Sequence, residues 1–117
     1  MRKFWPTVAV GMTAGFLPVA APQTTAAQEL CPPGKFCLFE NSSGRGHWAG
    51  YTSATADVRR QGLTAARADL NVSKQVWCVW SRPNYKGIKK VLPRNNQGLH
   101  NLGGAFLSAA SASTSLC

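Results

Sequence analysis

The stretch CLFENSSGRG, residues 37–46, is repeated in outline by CVWSRPNYKG, residues 78–87. Each copy begins with cysteine, an aliphatic residue and an aromatic residue, and each ends with a basic residue and glycine. Both therefore contain the frame aromatic-x6-Gly, as Phe39–Gly46 and as Trp80–Gly87. A glycine at the fold-over point of a tight hairpin can adopt a positive φ without a steric clash at Cβ. The aromatic residue seven positions earlier can then lie across the hairpin.

Short runs of aromatic and aliphatic residues, separated by clusters of Gly, Pro, Asn and Ser, predict β-strands. These runs are FCLFE (36–40), HWAGYT (47–52), KQVWCVW (74–80) and GIKKVL (87–92). The segment DVRRQGLTAARADL (57–70) is only loosely periodic and is interrupted by Gly62, which predicts a loop with a short helical turn. Two units of four short strands cannot each bury a face alone. We therefore expect an all-β fold in which two Greek-key motifs pack as a sandwich.

The first 27 residues have the pattern of a signal peptide. Arg2 and Lys3 give a positive start, an apolar run follows at residues 7–21, and small residues precede the expected cleavage after Ala27. The run is shorter than the roughly 20 apolar residues that span a bilayer, so we expect no transmembrane anchor. The sequence thus predicts a secreted, extracellular protein with a signal peptide at 1–27 and a single domain at 28–117.

The mature chain is strongly basic. Removal of Arg2 and Lys3 lowers the 13 basic residues of the full sequence to 11, against 4 acidic residues. Such a charge favours anionic partners, for example cell-wall polymers or acidic protein surfaces. Because the protein is expected to be exported, we expect no nucleic acid among its partners.

All four cysteines lie in the predicted mature part of the chain. They are Cys31, Cys37, Cys78 and Cys117. An even number of cysteines in a small exported domain predicts two disulfides, for which three pairings are possible. The sequence contains no C-x2-C pair and no Cys/His cluster of the kind that holds zinc.

The acidic and hydroxyl residues do not form a recognisable catalytic set. The acids of the mature chain are Glu29, Glu40, Asp57 and Asp69. A glycosidase needs two carboxylates across a cleft, and nothing in the sequence pairs Asp57 with Asp69. Ser42, His47 and Asp57 can be assembled as a triad only on paper, because no G-x-S-x-G elbow is present. We therefore expect that the protein is not an enzyme.

The repeated frame, followed in each unit by a serine-containing turn, resembles the motif of the βγ-crystallin-like fold. The opening CPPGKFCLFENSSGRG, residues 31–46, is more specific. It resembles the opening of the secreted bacterial peptidase inhibitors, which include a metalloproteinase inhibitor of this fold, because a C-P-x-G-x-x-C loop leads directly into aromatic-x6-Gly. The resemblance implies motif one at about 31–73 and motif two at about 74–117. It also implies a proteinaceous peptidase inhibitor, directed at a metalloprotease.

Many βγ-crystallin relatives bind calcium through an [ND]-[ND]-x-x-[ST]-S turn. The first copy here, DLNVSK at residues 69–74, has Leu70 and Lys74 where an oxygen ligand and a serine stand in that pattern. The second copy, LSAASA at residues 107–112, contains no carboxylate. Calcium takes six to eight oxygen ligands, with carboxylates supplying the charge. We therefore expect no metal site and no cofactor.

Metalloproteinase-inhibiting relatives present a reactive segment near a second short disulfide loop. No cysteine follows Cys78 within residues 79–87, so that reactive bond has no equivalent position here. The predicted protease-contact loop is instead SRPNYKG (81–87), in which a turn stiffened by proline presents Arg82, Pro83, Asn84 and Tyr85. A loop that is ordered before binding loses less entropy when it binds. ENSSGRG (40–46) is the alternative contact, and we expect a monomer with an extracellular protease as partner.

A second function is compatible with the same composition. Cationic antimicrobial or killer-toxin-like proteins with this fold bind anionic cell envelopes, and 11 basic residues together with Trp48, Trp77 and Trp80 would suit such a target. Core packing is the competing role for these tryptophans. Alternation along the strand cannot point all of residues 76–80 inward, and we expect Trp77 or Trp80 in the core.

The βγ-crystallin-like arrangement also favours one disulfide pairing. In such a sheet the first strand of motif two neighbours its last strand, which suits a Cys78–Cys117 bond. Cys31 and Cys37 flank the turn-forming segment PPGKF, whose ends meet easily. A Cys37–Cys78 bond would have to bring two strands of opposite sheets within about 7 Å between Cα atoms. We therefore expect Cys31–Cys37 and Cys78–Cys117.

Overall fold

A computed structural model describes residues 30–94 and 98–117 of the chain. In these residues, seven strands form two antiparallel sheets. The strands are β1 (Phe36–Phe39), β2 (Trp48–Tyr51), β3 (Ala66–Asn71), β4 (Trp77–Arg82), β5 (Lys86–Leu92), β6 (His100–Phe106) and β7 (Ser108–Ser111), and a 3-10 helix spans Val58–Gln61. The all-β prediction is confirmed. The signal peptide expected at residues 1–27 lies outside the described residues.

The two motifs exchange strands between the sheets. One sheet has the order β2-β1-β3-β6 and the other has the order β5-β4-β7. β6 belongs to the second motif in sequence, yet it pairs with β3 of the first. In return, Thr55 of the first motif forms an isolated bridge to Ala109 in β7, with N–H to carbonyl distances of 2.9 and 3.0 Å. Two interlocked Greek keys therefore form a βγ-crystallin-like sandwich.

The space between the sheets is filled by aromatic and aliphatic side chains. Phe36 of β1 stacks on Trp77 of β4 with 4.6 Å between ring centroids, which ties one sheet to the other. Val58 and Leu63, from the helix and the segment after it, are buried in the same cluster. Aromatic side chains bury 150–250 Å² each, so this pair makes a large contribution to the hydrophobic core. Trp77 thus has the core role that the sequence allowed.

Alternate residues of β1 and β4 form two smaller clusters outside the main core. One contains the Cys31–Cys37 disulfide with Phe39, and the other contains Cys78 and Trp80 with Cys117 packed against them. Both disulfides that the sequence favours, Cys31–Cys37 and Cys78–Cys117, are present in the structure. Because side chains alternate across a strand, each first strand contributes to the main core and to its own outer cluster.

The two repeated glycines adopt the conformation that the hairpins require. Gly46 has a φ of 82° and Gly87 has a φ of 87°. A Cβ added at Gly87 would collide with Ser81 Oγ and would lie 3.2 Å from two carbons of the Arg82 side chain. Gly62 shares a positive φ of 95°, but a Cβ there meets nothing within 4 Å.

Replacement of Gly87 by valine should therefore lower the free energy of unfolding by at least about 2 kcal/mol. A β-branched residue is strained at positive φ by about 1–3 kcal/mol. The new side chain would also displace Ser81 Oγ, which accepts a 2.8 Å hydrogen bond from Ile88 N. Urea unfolding measures the change, with Gly62→Val as the matched control that has the strain without the collision. Equal losses for the two variants would show that the collision at Gly87 has no effect.

Tyr51 is a buried tyrosine whose hydroxyl is hydrogen-bonded to the last residue of the 3-10 helix. Its Oη donates to Gln61 Oε1 at 3.1 Å, and Thr55 Oγ1 donates to the same oxygen at 2.9 Å. Burial raises the pKa of Tyr51 to about 12. The folded protein therefore holds this proton more tightly than the unfolded chain, whose tyrosines titrate near pH 10.

Stability should consequently decline between pH 10 and about 12. The contribution of the raised pKa of Tyr51 is fully present below pH 10 and is lost as the pH rises through 12. At pH 11 the loss amounts to about 1.4 kcal/mol. Tyr51→Phe should be less stable at pH 8 by about 1 kcal/mol, because the hydrogen bond to Gln61 is removed. Its urea-unfolding free energy should fall less steeply above pH 10, and parallel declines of the two proteins would contradict this assignment.

Candidate functional site

The hairpin between β4 and β5, residues 81–87, is here named the second hairpin. Arg82 is the last residue of β4, Pro83 and Asn84 lie in the turn, and Tyr85 leads into β5. The side chains of Arg82 and Asn84 are exposed, whereas Pro83 and Tyr85 are half-buried. The turn therefore presents a charged and an amide side chain to solvent.

The backbone of the second hairpin is fixed from inside the molecule. Ser108 is fully buried, and its Oγ donates to the carbonyl of Arg82 at 2.7 Å while accepting from Tyr85 N at 3.0 Å. Asn84 N donates to the carbonyl of Ala56 at 2.8 Å. Three hydrogen bonds to other parts of the fold thus hold a stretch of four residues, which is the pre-ordering that a binding loop requires.

The tip of this hairpin has an unusual backbone. Asn84 has a φ of 61° and Tyr85 has a φ of 62°, in the left-handed region that few residues other than glycine adopt. The ring of Tyr85 packs edge-to-face against Trp80 with 5.4 Å between centroids. The sequence places Tyr85 as a projecting side chain, but the structure turns its ring onto Trp80. Arg82, Asn84 and part of Pro83 form the outward surface.

The equivalent segment of the first motif, residues 40–46, is here named the first hairpin. Its positive φ values fall on Gly44 (80°) and Gly46 (82°). Glu40 accepts hydrogen bonds from Thr64 N at 3.0 Å and from Thr64 Oγ1 at 2.9 Å, and the backbone bond is the first cause of its lowered pKa. His47 Nδ1 lies 3.3 Å from Glu40 Oε1. This hairpin is therefore held by a surface carboxylate.

Strand register shows how the two motifs differ under their hairpins. Phe39 pairs with Ala68 in β3, and the corresponding Trp80 pairs with Ser108 in β7. Beneath the first hairpin, the position equivalent to Ser108 is therefore occupied by Ala68. Ser108 is the residue that sequence reasoning missed. Ser108 lies within LSAASA (107–112), the segment compared above with a calcium-binding turn, but the sequence did not indicate its hydrogen-bond partners.

Asp57 and Asp69, the two carboxylates that a glycosidase pair would need, each have structural partners. Asp57 caps the 3-10 helix and accepts from Arg59 N at 3.0 Å, from Nε at 2.9 Å and from Nη2 at 2.8 Å. The side-chain hydrogen bond from Arg59 is the main cause that lowers the pKa of Asp57 to about 2. Asp69 is fully buried in β3, with its Oδ1 3.7 Å from Nδ1 of His100 in β6. Asp57 and Asp69 thus belong to two different local interactions.

The turn that was compared with calcium sites is organised by its own side chains. Ser73 N donates to Asn71 Oδ1 at 3.0 Å, and Asn71 Nδ2 donates to the carbonyls of Gln75 and Pro93 at 2.9 Å each. Within residues 30–94 and 98–117, no group of three or more His, Cys, Asp or Glu side chains is placed to hold a metal ion. Over the same ranges, no helix has the length and hydrophobicity that a membrane crossing requires.

Comparison with known proteins identifies the family. Residues 24–92 match the model of peptidase inhibitor family I36, and the match extends over more than half of the chain. The chain belongs to this family. The matched region reaches the end of β5, so it contains both hairpins of this I36 protein. Comparison with curated proteins finds no match. The family is one of peptidase inhibitors.

Proposed function

We propose that this protein is a secreted inhibitor of a metalloprotease and that the second hairpin contacts the enzyme. Membership of an inhibitor family supports a peptidase as the partner. Two disulfides are typical of proteins that work in oxidising, extracellular surroundings. In this proposal a signal peptide at residues 1–27 is removed, and the domain that follows acts as a monomer.

The second hairpin is chosen as the contact site because buried groups hold the backbone of its exposed turn. Ser108 and Ala56 fix the backbone of residues 82–85, while the side chains of Arg82 and Asn84 stay in solvent. An inhibitor benefits from this combination, because little conformational entropy remains to be lost when the loop binds. The Cys78–Cys117 bond adds a covalent tie to β4, the strand that leads into the hairpin.

The conformation of the turn favours obstruction over substrate-like binding. The positive φ values of Asn84 and Tyr85 curl the chain at the tip, whereas substrates usually lie extended in a protease cleft. The hairpin would therefore enter the mouth of the cleft as a rigid wedge. Arg82 and the neighbouring Lys86 make this wedge basic, which suits an enzyme with acidic residues around its active site.

The tryptophans do not favour the alternative, an envelope-binding cationic protein. Trp77 is 2% exposed and Trp80 is 5% exposed, so both serve the core clusters. Only Trp48 of the three is partly accessible. Aromatic side chains that insert into an envelope must reach the surface, so the structure offers this function little beyond its positive charge.

The proposal is tested by incubating the purified protein with a panel of proteases. A thermolysin-like metalloprotease should lose activity in proportion to the added protein, and the inhibitor should stay intact on a gel. Serine and cysteine proteases serve as class controls. Unchanged activity of every metalloprotease in the panel would contradict the proposal, as would rapid cleavage at residues 82–85. Dye release from bacterial cells, measured in parallel, reports on the alternative.

A further inference from the structure

Strand β5 has one unpaired edge. In the part of the chain that the structure describes, β5 pairs with β4 alone, and the first six of its seven residues are exposed. It carries the two most exposed large apolar side chains of that part, Ile88 at 72% and Val91 at 58%. Edge strands are usually protected by polar side chains, bulges or covering segments, because their free N–H and C=O groups attract other strands. Three lysines of β5 provide part of this protection, but its two exposed apolar residues do not.

We propose that β5 is a docking strand for an extended, acidic segment of another protein, which adds to the sheet beside it. In this mode of recognition, main-chain hydrogen bonds supply affinity and alternate side chains supply selectivity. Seven residues at about 3.3 Å each give an edge of roughly 20 Å, enough for a strand of five to seven residues. The proposal does not rest on protease inhibition, because the docking strand need not contact the hairpin tip.

The side chains of β5 indicate which segment fits. The pairing register with β4 shifts between Lys86 and Lys89, so alternation does not run through the whole strand. Ile88 and Lys90 share one face, and the pairing of Lys86 with Arg82 places it on the other face with Lys89 and Val91. Each face therefore offers an apolar side chain beside a lysine. Opposite charges on neighbouring strands attract, and apolar cross-strand pairs pack. A segment that places apolar and acidic residues on both of its faces complements this pattern.

The same lysines argue against other occupants. Two copies of β5 paired edge to edge would bring six lysines together, and like charges on adjacent strands are unfavourable. A flat anionic surface or polymer would use the charges of Lys86 and Lys89 but would leave Ile88, Val91 and the free backbone edge without a partner. Lys90 is also engaged, since its Nζ donates to the carbonyl of Leu102 in β6 at 2.9 Å. An acidic extended segment can contact the lysines, the apolar side chains and the free backbone edge of β5 together.

The test uses the purified protein and a fluorescein-labelled nine-residue peptide, Val-Val-Glu-Glu-Val-Val-Glu-Glu-Val, which places valine and glutamate on both faces of an extended strand. Fluorescence anisotropy should show saturable binding. The same peptide with every backbone nitrogen methylated keeps its side chains but cannot donate to a strand edge, and it should bind at least tenfold more weakly. Lys89→Glu and Ile88→Thr should each weaken binding of the unmodified peptide several-fold. Lys74→Glu changes another exposed lysine, which lies outside β5, and should leave binding unchanged.

Four outcomes would overturn the proposal. Equal binding of the methylated peptide would show that charge alone is responsible, and unchanged affinity in Lys89→Glu would place the contact elsewhere. If long-chain polyphosphate displaces the peptide and binds the Lys89→Glu variant more weakly than the unaltered protein, the ligand of β5 is an anionic polymer. A dimer in sedimentation experiments that is disrupted by Ile88→Thr would identify a second copy. The Lys89→Glu variant should inhibit the protease as strongly as the unaltered protein does. The docking proposal can therefore fail without the proposed inhibitory role of the second hairpin failing, and the reverse also holds.

Discussion

Replacing Arg82 with alanine and Asn84 with glycine, which tolerates the positive φ at that position, should weaken inhibition of the target metalloprotease by roughly 100-fold, with almost no change in melting temperature. Both side chains are exposed and form no hydrogen bond with the described part of the fold, so their removal costs little stability. At the proposed interface they are the outermost groups of a fixed turn. A 100-fold loss corresponds to about 2.7 kcal/mol, within the range found when hot-spot side chains are truncated.

The measurement is the inhibition constant against a thermolysin-like metalloprotease, accompanied by thermal unfolding of each variant. Ser43→Ala combined with Arg45→Ala removes one polar and one basic exposed side chain from the first hairpin and should leave the inhibition constant unaltered. If the first-hairpin variant loses inhibition and the second-hairpin variant keeps it, the contact lies at residues 40–46. Tyr85→Ala is unsuitable for this comparison, because its ring packs on Trp80 and its removal should lower the melting temperature.

The repeated hairpins could be predicted from sequence because their determinants are local. A glycine with positive φ and an aromatic seven residues before it belong to one short segment, and Gly46 and Gly87 have the expected conformation. The strands on either side of these hairpins could be predicted to within a few residues for the same reason. KQVWCVW (74–80) begins as a strand only at Trp77, because the turn before it is held by Asn71 and Ser73.

Central strands were harder to predict. β3 (Ala66–Asn71) lies between β1 and β6, and five of its six residues are buried, so no alternation of polar and apolar residues marks it. The prediction of a loop with a short helical turn at residues 57–70 is therefore wrong for residues 66–70, and only Val58–Gln61 is helical. The C-terminal segment GGAFLSAASASTSLC (103–117) likewise contains β7, whose Ser and Ala residues pack closely against β4. Small residues that allow two strands to pack closely do not produce a hydrophobic pattern from which a strand can be predicted.

The candidate site was located in sequence but its internal geometry was not. Proline and glycine marked residues 81–87 as a turn, which is local information. The inward position of Tyr85 depends on Ser108, a residue 23 positions later that belongs to a different strand. Likewise, the exchange of β6 between the motifs follows from the pairing of strands that are distant in sequence. Contacts of this kind are fixed by tertiary packing and cannot be read from a single segment.

Removal of the Cys78–Cys117 disulfide, by changing both residues to alanine, should lower the free energy of unfolding by about 4 kcal/mol. The bond closes a loop with a sequence separation of 39, and the chain-entropy model assigns about 4 kcal/mol to such a loop. Total stabilities of small domains are about 5–15 kcal/mol, so the variant should be close to unfolded at elevated temperature. Chemical unfolding followed by tryptophan fluorescence gives the free energy directly, since Trp77 and Trp80 are buried.

The Cys31–Cys37 pair provides the matched control. Its sequence separation is 6, and the same model assigns about 2 kcal/mol to a loop of this length. The two losses should therefore differ by about 2 kcal/mol, and a larger loss at Cys31–Cys37 would contradict the argument from loop length. Cys78 lies in the strand that leads into the second hairpin, between Trp77 in the core and Trp80 beneath Tyr85. Loss of this bond should accordingly reduce inhibition at temperatures where the Cys31–Cys37 variant still inhibits fully.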